Sequence, residues 1–160
     1  MAEICKAAVS LSFSGDDLDP DEISRWLGKP TKGANKGGIL LTPAGNERVS
    51  HTGIWLLKTE DAQHGGVEQQ IHALLSGLSE DFSIWKDFSD RYRGRIFVGV
   101  FLSGFNEGLS ISPQALIAIG VRGLTLDLDI YSGADEADAG EFKTATVCNE
   151  RLETSWAADV

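Results

Sequence analysis

Cysteine is scarce in this sequence, and the two that occur, Cys5 and Cys148, lie near opposite ends. No CxxC pair is present, which excludes a zinc ribbon and a thioredoxin-like redox pair. Long apolar runs are also missing, since none approaches the roughly 20 residues that cross a bilayer. No basic start followed by an apolar core opens the chain, so no secretory signal is predicted. We therefore expect a cytoplasmic protein that does not associate with a membrane.

Basic residues are fewer than acidic ones: the chain has 14 Lys and Arg and 24 Asp and Glu, which gives a net charge of −10. Proteins that bind the phosphate backbone present a basic face, so this balance disfavours a general nucleic-acid binder, while a local basic pocket stays compatible with it. The acidity is compatible with simple solubility, with a basic protein partner, or with mimicry of nucleic acid. At 160 residues and 42% hydrophobic composition, the chain is long enough for one domain with a substantial core.

Common catalytic and cofactor motifs are missing as well. Ala34-Asn35 occupies the place where a P-loop needs Lys-Ser/Thr, and GxGxxG after a strand, GxSxG and HExxH do not occur. Asp17, Asp19 and Asp21 have a spacing typical of calcium ligands, but Glu22 stands where an EF-hand needs Gly. The sequence therefore predicts no cofactor and no metal.

The strongest positive signal is a strand, loop and capped helix over residues 11–28, which returns in altered form over 98–120. In the first copy Asp19 is a good N-cap because its carboxylate accepts from the free amides of the first turn, and a proline follows it. Glu22, three residues later, is predicted to complete a capping box. Gly28 is predicted to end the helix.

In the second copy Ser112 caps a helix that begins at Pro113 and is predicted to end at Gly120. Its apolar positions are expected to contribute to the core: Leu116, Ile117 and Ile119. The duplication predicts two βα pseudo-repeats related by a pseudo-twofold axis.

Alternation predicts strands over 7–13 and 124–131, and apolar, β-rich stretches predict strands over 38–42, 51–59 and 95–103, the last as a central strand buried on both faces. The strands over 38–42 and 51–59 are expected to pair as a hairpin, with a turn over 43–49. Apolar residues at three- and four-residue steps predict a helix over 67–92, with a break near Gly77 or over 79–81 and a stop at Gly94. In the last strand four side chains are expected to face the core: Leu124, Leu126, Leu128 and Ile130.

These elements predict an α+β fold with an antiparallel or mixed sheet of about five or six strands and helices mainly on one face. We expect one domain over 1–132. Residues 133–160 are predicted to form an acidic extension, with an optional edge strand over 142–147 and a tail.

Residues 29–38, KPTKGANKGG, carry Lys29, Lys32 and Lys36 with no acid among them. One interpretation is a solvated surface loop. The other is an anion-binding loop, in which glycine lets backbone amides approach a ligand and lysine supplies charge.

Asp127 and Asp129 lie two residues apart in a predicted strand, so their carboxylates point the same way, and Tyr131 continues that face. If a helix covers the face, the acids need partners such as Arg25, Arg122 or a lysine of the 29–36 loop. If the face is open, it is either a solvated sheet surface or a site for a cation, an amine or a basic partner. Trp55, near the centre of the 51–59 strand, is included among the candidate ligand-binding residues.

Three stretches together resemble the DUF4279 family, small bacterial and phage-encoded domains of uncharacterised function: DDLDPDEISRWLGKPT, HTGIW and GLSISPQALIAIGVRGLTLDLDIY. The resemblance covers residues 7 to 132. It implies a small α+β domain with two βα repeats, and it implies no reaction.

Three hypotheses for function follow. The first is a non-enzymatic binding protein that acts by occupying a protein partner, as immunity or anti-defence proteins do. The second is a small-molecule binder whose lysine loop holds a phosphorylated or nucleotide ligand. The third is a metal-assisted hydrolase that uses Asp127 and Asp129. A homodimer formed through a sheet edge is compatible with the first.

Overall fold

The structure is a computed structural model, and it describes residues 6–42, 44–59, 66–102 and 108–131. Within these ranges there are seven strands: β1 Lys6–Gly15, β2 Lys32–Ala34, β3 Ile39–Leu41, β4 Glu47–Val49, β5 Gly53–Lys58, β6 Arg93–Phe101 and β7 Thr125–Tyr131. There are four helices: α1 Pro20–Trp26, α2 Val67–Ser76, α3 Phe82–Arg91 and α4 Pro113–Gly120. The predicted extension over 133–160 and its edge strand over 142–147 lie outside the described residues. No helix in the described ranges is long and apolar enough to span a bilayer.

Five strands form one mixed sheet in the order β2-β5-β1-β6-β7, and β3 pairs with β4 in a separate two-stranded sheet. All pairs in the large sheet are antiparallel except β6 with β7, which is parallel. The α+β class and the mixed sheet are therefore confirmed. The two βα units, β1 with α1 and β6 with α4, start from antiparallel neighbours at the centre of the sheet.

One apolar cluster joins one face of the sheet to all four helices. From the helices it includes Ile23, Ile71, Trp85, Phe88 and Ile119, and from the central strands it includes Val9, Leu11, Phe13, Ile96 and Val98. The described helices therefore lie on one side of the sheet. On the other side the β3–β4 hairpin covers β2 and β5, where Leu40 packs against Ala34, Ile54 and Leu56.

Both predicted helix caps are confirmed. The Asp19 carboxylate accepts a hydrogen bond from the amide of Asp21 at 3.0 Å, and the Ser112 hydroxyl accepts from the amide of Ala115 at 3.3 Å. Glu22 does not act as the reciprocal cap; its carboxylate instead accepts from Arg91 at 2.8 Å, which ties α1 to α3. That hydrogen bond raises the pKa of Arg91 above its ordinary value.

The predicted break in the long helix is also confirmed. α2 ends at Ser76, and α3 begins after Asp81, whose carboxylate accepts from the amide of Ser83 at 3.0 Å. The Ser83 hydroxyl also donates to this carboxylate at 2.5 Å, and the hydroxyl and then the amide of Ser83 hold the pKa of Asp81 below its ordinary value. Gly94 is not the helix stop that the sequence predicts, because α3 already ends at Arg91 and Gly94 lies within β6.

A further expectation from the sequence is corrected. The predicted turn over 43–49 contains β4, which pairs with β3, whereas β5 pairs with β1 and β2 in the main sheet. The predicted hairpin partner was therefore wrong. The predicted end of α4 at Gly120 is confirmed, and the left-handed residue that turns the chain toward β7 is Gly123, with φ of 67°.

Phe13 occupies the centre of the core. Its ring centroid lies 6.3 Å from that of Trp55, 6.1 Å from that of Trp85 and 6.0 Å from that of Phe88. Gly94 pairs with Phe13 across the sheet. A Cβ on Gly94 would lie 2.6 Å from a Phe13 ring carbon and 2.8 Å from a Leu124 methyl carbon, so the Phe13 ring occupies the space that a side chain would need.

We expect Gly94→Ala to lower the free energy of unfolding by about 1–3 kcal/mol, because the added methyl group overpacks a rigid aromatic contact. Gly77→Ala is the matched control, since no neighbouring heavy atom lies within 4 Å of its Cβ position. The control should range from no change to a gain of about 1 kcal/mol. Urea unfolding followed by tryptophan fluorescence measures both, and equal effects would contradict this account of the core.

We expect Asp19→Ala to lower the free energy of unfolding by about 1 kcal/mol through loss of the cap. Asp19→Asn keeps an acceptor at the same position and should remain close to the wild type. Asp17→Ala removes a nearby exposed carboxylate that caps no helix, and its change should stay within about 0.5 kcal/mol. A loss of the same size in Asp17→Ala would point to charge rather than capping as the cause.

Candidate functional site

Asp127, Asp129 and Tyr131 lie on one face of β7, as the alternation predicts, and this face is the one opposite the helices. Their neighbours on β6 across the parallel pairing are Phe97, Gly99 and Phe101. The Tyr131 ring stacks on Phe101 with centroids 4.7 Å apart, and its hydroxyl donates to the Asp129 carboxylate at 2.5 Å. Asp129 and Tyr131 therefore form a local pair on the sheet surface.

Asp127 accepts from two arginines of β6. Its Oδ2 lies 3.2 Å from Arg95 Nη1 and 3.3 Å from Arg93 Nη2. Arg95 also donates from Nε to the Ser12 hydroxyl at 3.4 Å, and its guanidinium lies 5.4 Å from the centroid of the Phe97 ring. A polar row thus crosses β1, β6 and β7, and it consists of Ser12, Arg95, Arg93 and Asp127.

The sequence analysis names Arg25, Arg122 or a lysine of the 29–36 loop as partners only if a helix covers this face of β7, and the described helices lie on the other face. Arg25 and Arg122 lie elsewhere, and the lysines over 29–36 are two strands or more away in the sheet order. The correct partners follow from register, because parallel pairing sets Arg95 opposite Thr125, next to Asp127. The alternation of Arg93 and Arg95 at the start of β6 is the signal that sequence reasoning missed.

This charge arrangement opposes a metal-assisted reaction at Asp127. Two guanidiniums already neutralise its carboxylate and repel a second cation. In the ranges that the structure describes, no group of three or more His, Cys, Asp or Glu is placed to hold a metal ion.

The three lysines of the 29–38 loop occupy different environments. Lys36 pairs with Asp16 at 2.5 Å, and this hydrogen bond lowers the pKa of Asp16. Lys32 lies in β2 and donates to the Leu41 carbonyl at 2.8 Å. Lys29 is exposed beside Leu57 and Leu78 in a separate groove. Two of the three ammonium groups therefore already have protein partners.

Trp55 belongs to the core and not to a ligand site. Its side chain is 0% exposed, and its indole N–H donates to the Ser24 hydroxyl at 3.1 Å. The aromatic residue was expected to face a ligand, but it faces Phe13 and the helices.

The sequence analysis also missed an exposed apolar surface on α4 and β7, which we call the α4–β7 patch. It comprises five side chains that are each between 46% and 62% exposed: Leu116, Ile117, Val121, Leu128 and Ile130. The sequence placed four of these side chains in the core. Their neighbours in the same elements, Ile119 and Leu124, are buried at 3% and 7% exposure.

The β7 half of this patch results from the position of β7 in the sheet. Leu128 and Ile130 lie on the helical side, in register with Val98 and Val100 of β6, which are buried. One strand further out, the described helices no longer cover the sheet. Of the ten large hydrophobic side chains that are exposed in the described ranges, four therefore fall on the neighbouring elements α4 and β7, and a fifth, Val121, directly follows α4.

We expect Asp127→Asn to lower the free energy of unfolding by about 1 kcal/mol, because two arginines lose their carboxylate, and added salt should reduce the difference. Asp90→Asn is the control, since it removes a pair with Lys86 whose side chains are 63% and 75% exposed. Its change should stay under about 0.5 kcal/mol. Urea unfolding at low and high salt tests both. A stabilising effect of Asp127→Asn would contradict a structural role and indicate that the row is retained to bind something.

Comparison with known proteins identifies the family. A family model described as "Domain of unknown function (DUF4279)" matches residues 4–133. No curated protein and no solved structure matches the chain. The match spans both βα units, the mixed sheet and the polar row on β7. The chain therefore belongs to the DUF4279 family.

Proposed function

We propose that this protein is a non-enzymatic binding protein that acts by occupying a protein partner, in the manner of immunity or anti-defence proteins. The observation that supports the proposal is the α4–β7 patch. Large apolar side chains that gather on neighbouring elements are typical of interaction surfaces. A partner that covers them removes apolar surface from water, worth about 25 cal/mol per Å².

The chemistry of the patch favours a protein over a lipid surface. Amphipathic helices that lie on membranes carry Lys and Arg on their polar face, whereas α4 contains no charged residue. The chain's net charge of −10 also opposes approach to anionic lipids and to nucleic acid. The same charge attracts a basic protein and speeds its encounter.

The edge of β7 also disfavours one route to self-association. When two β7 strands pair antiparallel with equivalent faces together, the registers centred on Asp127, Leu128 or Asp129 place an aspartate of one copy opposite an aspartate of the other. Like charges directly across a strand pair are destabilising. A different protein, with apolar side chains surrounded by basic ones, fits this edge better than a second copy does.

The proposal predicts a contact that is specific to one surface. A photo-crosslinking amino acid at Ile117 should form an adduct with a basic protein in the cells from which the chain derives. The same probe at Ile39, which is 60% exposed on the β3–β4 hairpin, is the matched control and should not. Ile130→Glu, a change at an exposed site, should abolish the adduct. With purified partner it should weaken binding by about tenfold or more.

Three results would contradict the proposal: no adduct from Ile117, the same adduct from Ile39, or an adduct only between two copies of this chain. The last would assign the patch to a homodimer. Circular dichroism of the Ile130→Glu variant checks that the fold is retained.

A further inference from the structure

A groove lies between α2 and α4, with a volume of about 540 Å³. Cavities of this size hold small-molecule ligands. Its polar lining includes Glu68 and His72 on α2, Gln114 on α4, and Glu80 and Arg122 from the segments beside α3 and α4. The side chains of the α4–β7 patch do not line this groove.

Arg122 is the one charged side chain that is buried among the described residues, at 8% exposure. Its guanidinium contacts two aromatic rings of α3, 5.2 Å from the centroid of Phe82 and 5.3 Å from that of Trp85. Nη1 donates to the Ala118 carbonyl at 2.8 Å, and the Arg122 carbonyl accepts from the Ser89 hydroxyl at 2.8 Å. These contacts fix the guanidinium in one orientation.

This buried charge is incompletely satisfied. No carboxylate of the described residues forms an ion pair with Arg122, and its buried Nε has no hydrogen-bond acceptor. Nη2 also has no acceptor in the described ranges, and it is not sealed from solvent as Nε is. Arg122 lines the groove, so we take Nη2 as the atom that a ligand in the groove would reach. A buried cation without an anion is costly, and such a group calls for an explanation by a bound species.

The two acids in the groove limit what that species is. Glu68 accepts from the backbone amide of Ser112, so one of its oxygens is committed to the start of α4. Burial lowers the pKa of Arg122, and the negative charge of Glu80 partly offsets this. Glu80 is therefore close enough to act on Arg122 but does not pair with it. A multiply charged anion such as phosphate would be repelled by both glutamates.

A ligand that carries a carboxylate and an ammonium a few bonds apart matches this arrangement. We propose that the groove between α2 and α4 binds a free amino acid, whose carboxylate is held by Arg122 and whose ammonium faces Glu80. Gln114 and His72 supply further hydrogen-bonding groups toward the side chain. This site is separate from the protein-binding surface proposed above, so each proposal stands or fails without the other.

Isothermal titration calorimetry of the full chain with each proteinogenic amino acid tests the proposal. At least one free amino acid should bind. Its N-acetyl and methyl-ester derivatives, which each remove one charge, should bind about tenfold more weakly or worse. Absence of binding by every free amino acid, or tighter binding of inorganic phosphate than of any amino acid, would overturn it.

Variants separate the two charged contacts. Arg122→Gln should abolish binding, but this residue is buried and its loss also perturbs packing. Glu80→Gln changes an exposed residue. It should weaken the binding of the free amino acid by about tenfold and leave the affinity for its N-acetyl derivative unchanged, because that derivative carries no ammonium. Glu47→Gln, an exposed acid on β4, is the matched control and should bind as the wild type does. Equal affinities in Glu80→Gln and Glu47→Gln would contradict the assigned role of Glu80.

Discussion

The packing of Phe13 is the interaction on which the rest of this structure depends. β1 is the central strand of the sheet, and the Phe13 ring contacts aromatic rings from β5 and from α3. A single ring therefore joins the sheet to the helical layer, and it requires a residue without a side chain opposite it in β6. Aromatic contacts of this kind add specificity beyond their buried area. The strand and helix positions that carry the candidate sites are fixed relative to this centre.

Local interactions are what the sequence predicts well. The caps at Asp19 and Ser112 involve groups at most three residues apart, so their geometry follows from sequence spacing alone. Strand pairing depends on distant segments and was predicted less well. The partner of β3 is the three-residue strand β4, which is too short to show alternation. The pairing of β4 with β3 is therefore seen only in the structure.

In the candidate site, too, the sequence predicted the features that depend on local spacing and missed those that depend on distant segments. Alternation placed Asp127, Asp129 and Tyr131 on one face, because side chains in a strand repeat every two residues. It did not predict Arg93 and Arg95 as partners, since that contact depends on the parallel register of β6 and β7. Alternation also shows which residues share a face but not what covers it. Leu128 and Ile130 therefore had the pattern of core residues although they are exposed.

The parallel pairing of β6 with β7 has a consequence for how the chain assembles. Parallel neighbours need a long crossover, so the entropy of closing that crossover is lost before the β6–β7 contacts can form. We expect β7 and α4 to join the sheet late and to open locally before the antiparallel centre does. A protein that covered α4 and β7 would bind only their closed form, so its occupancy would slow proteolysis of this edge.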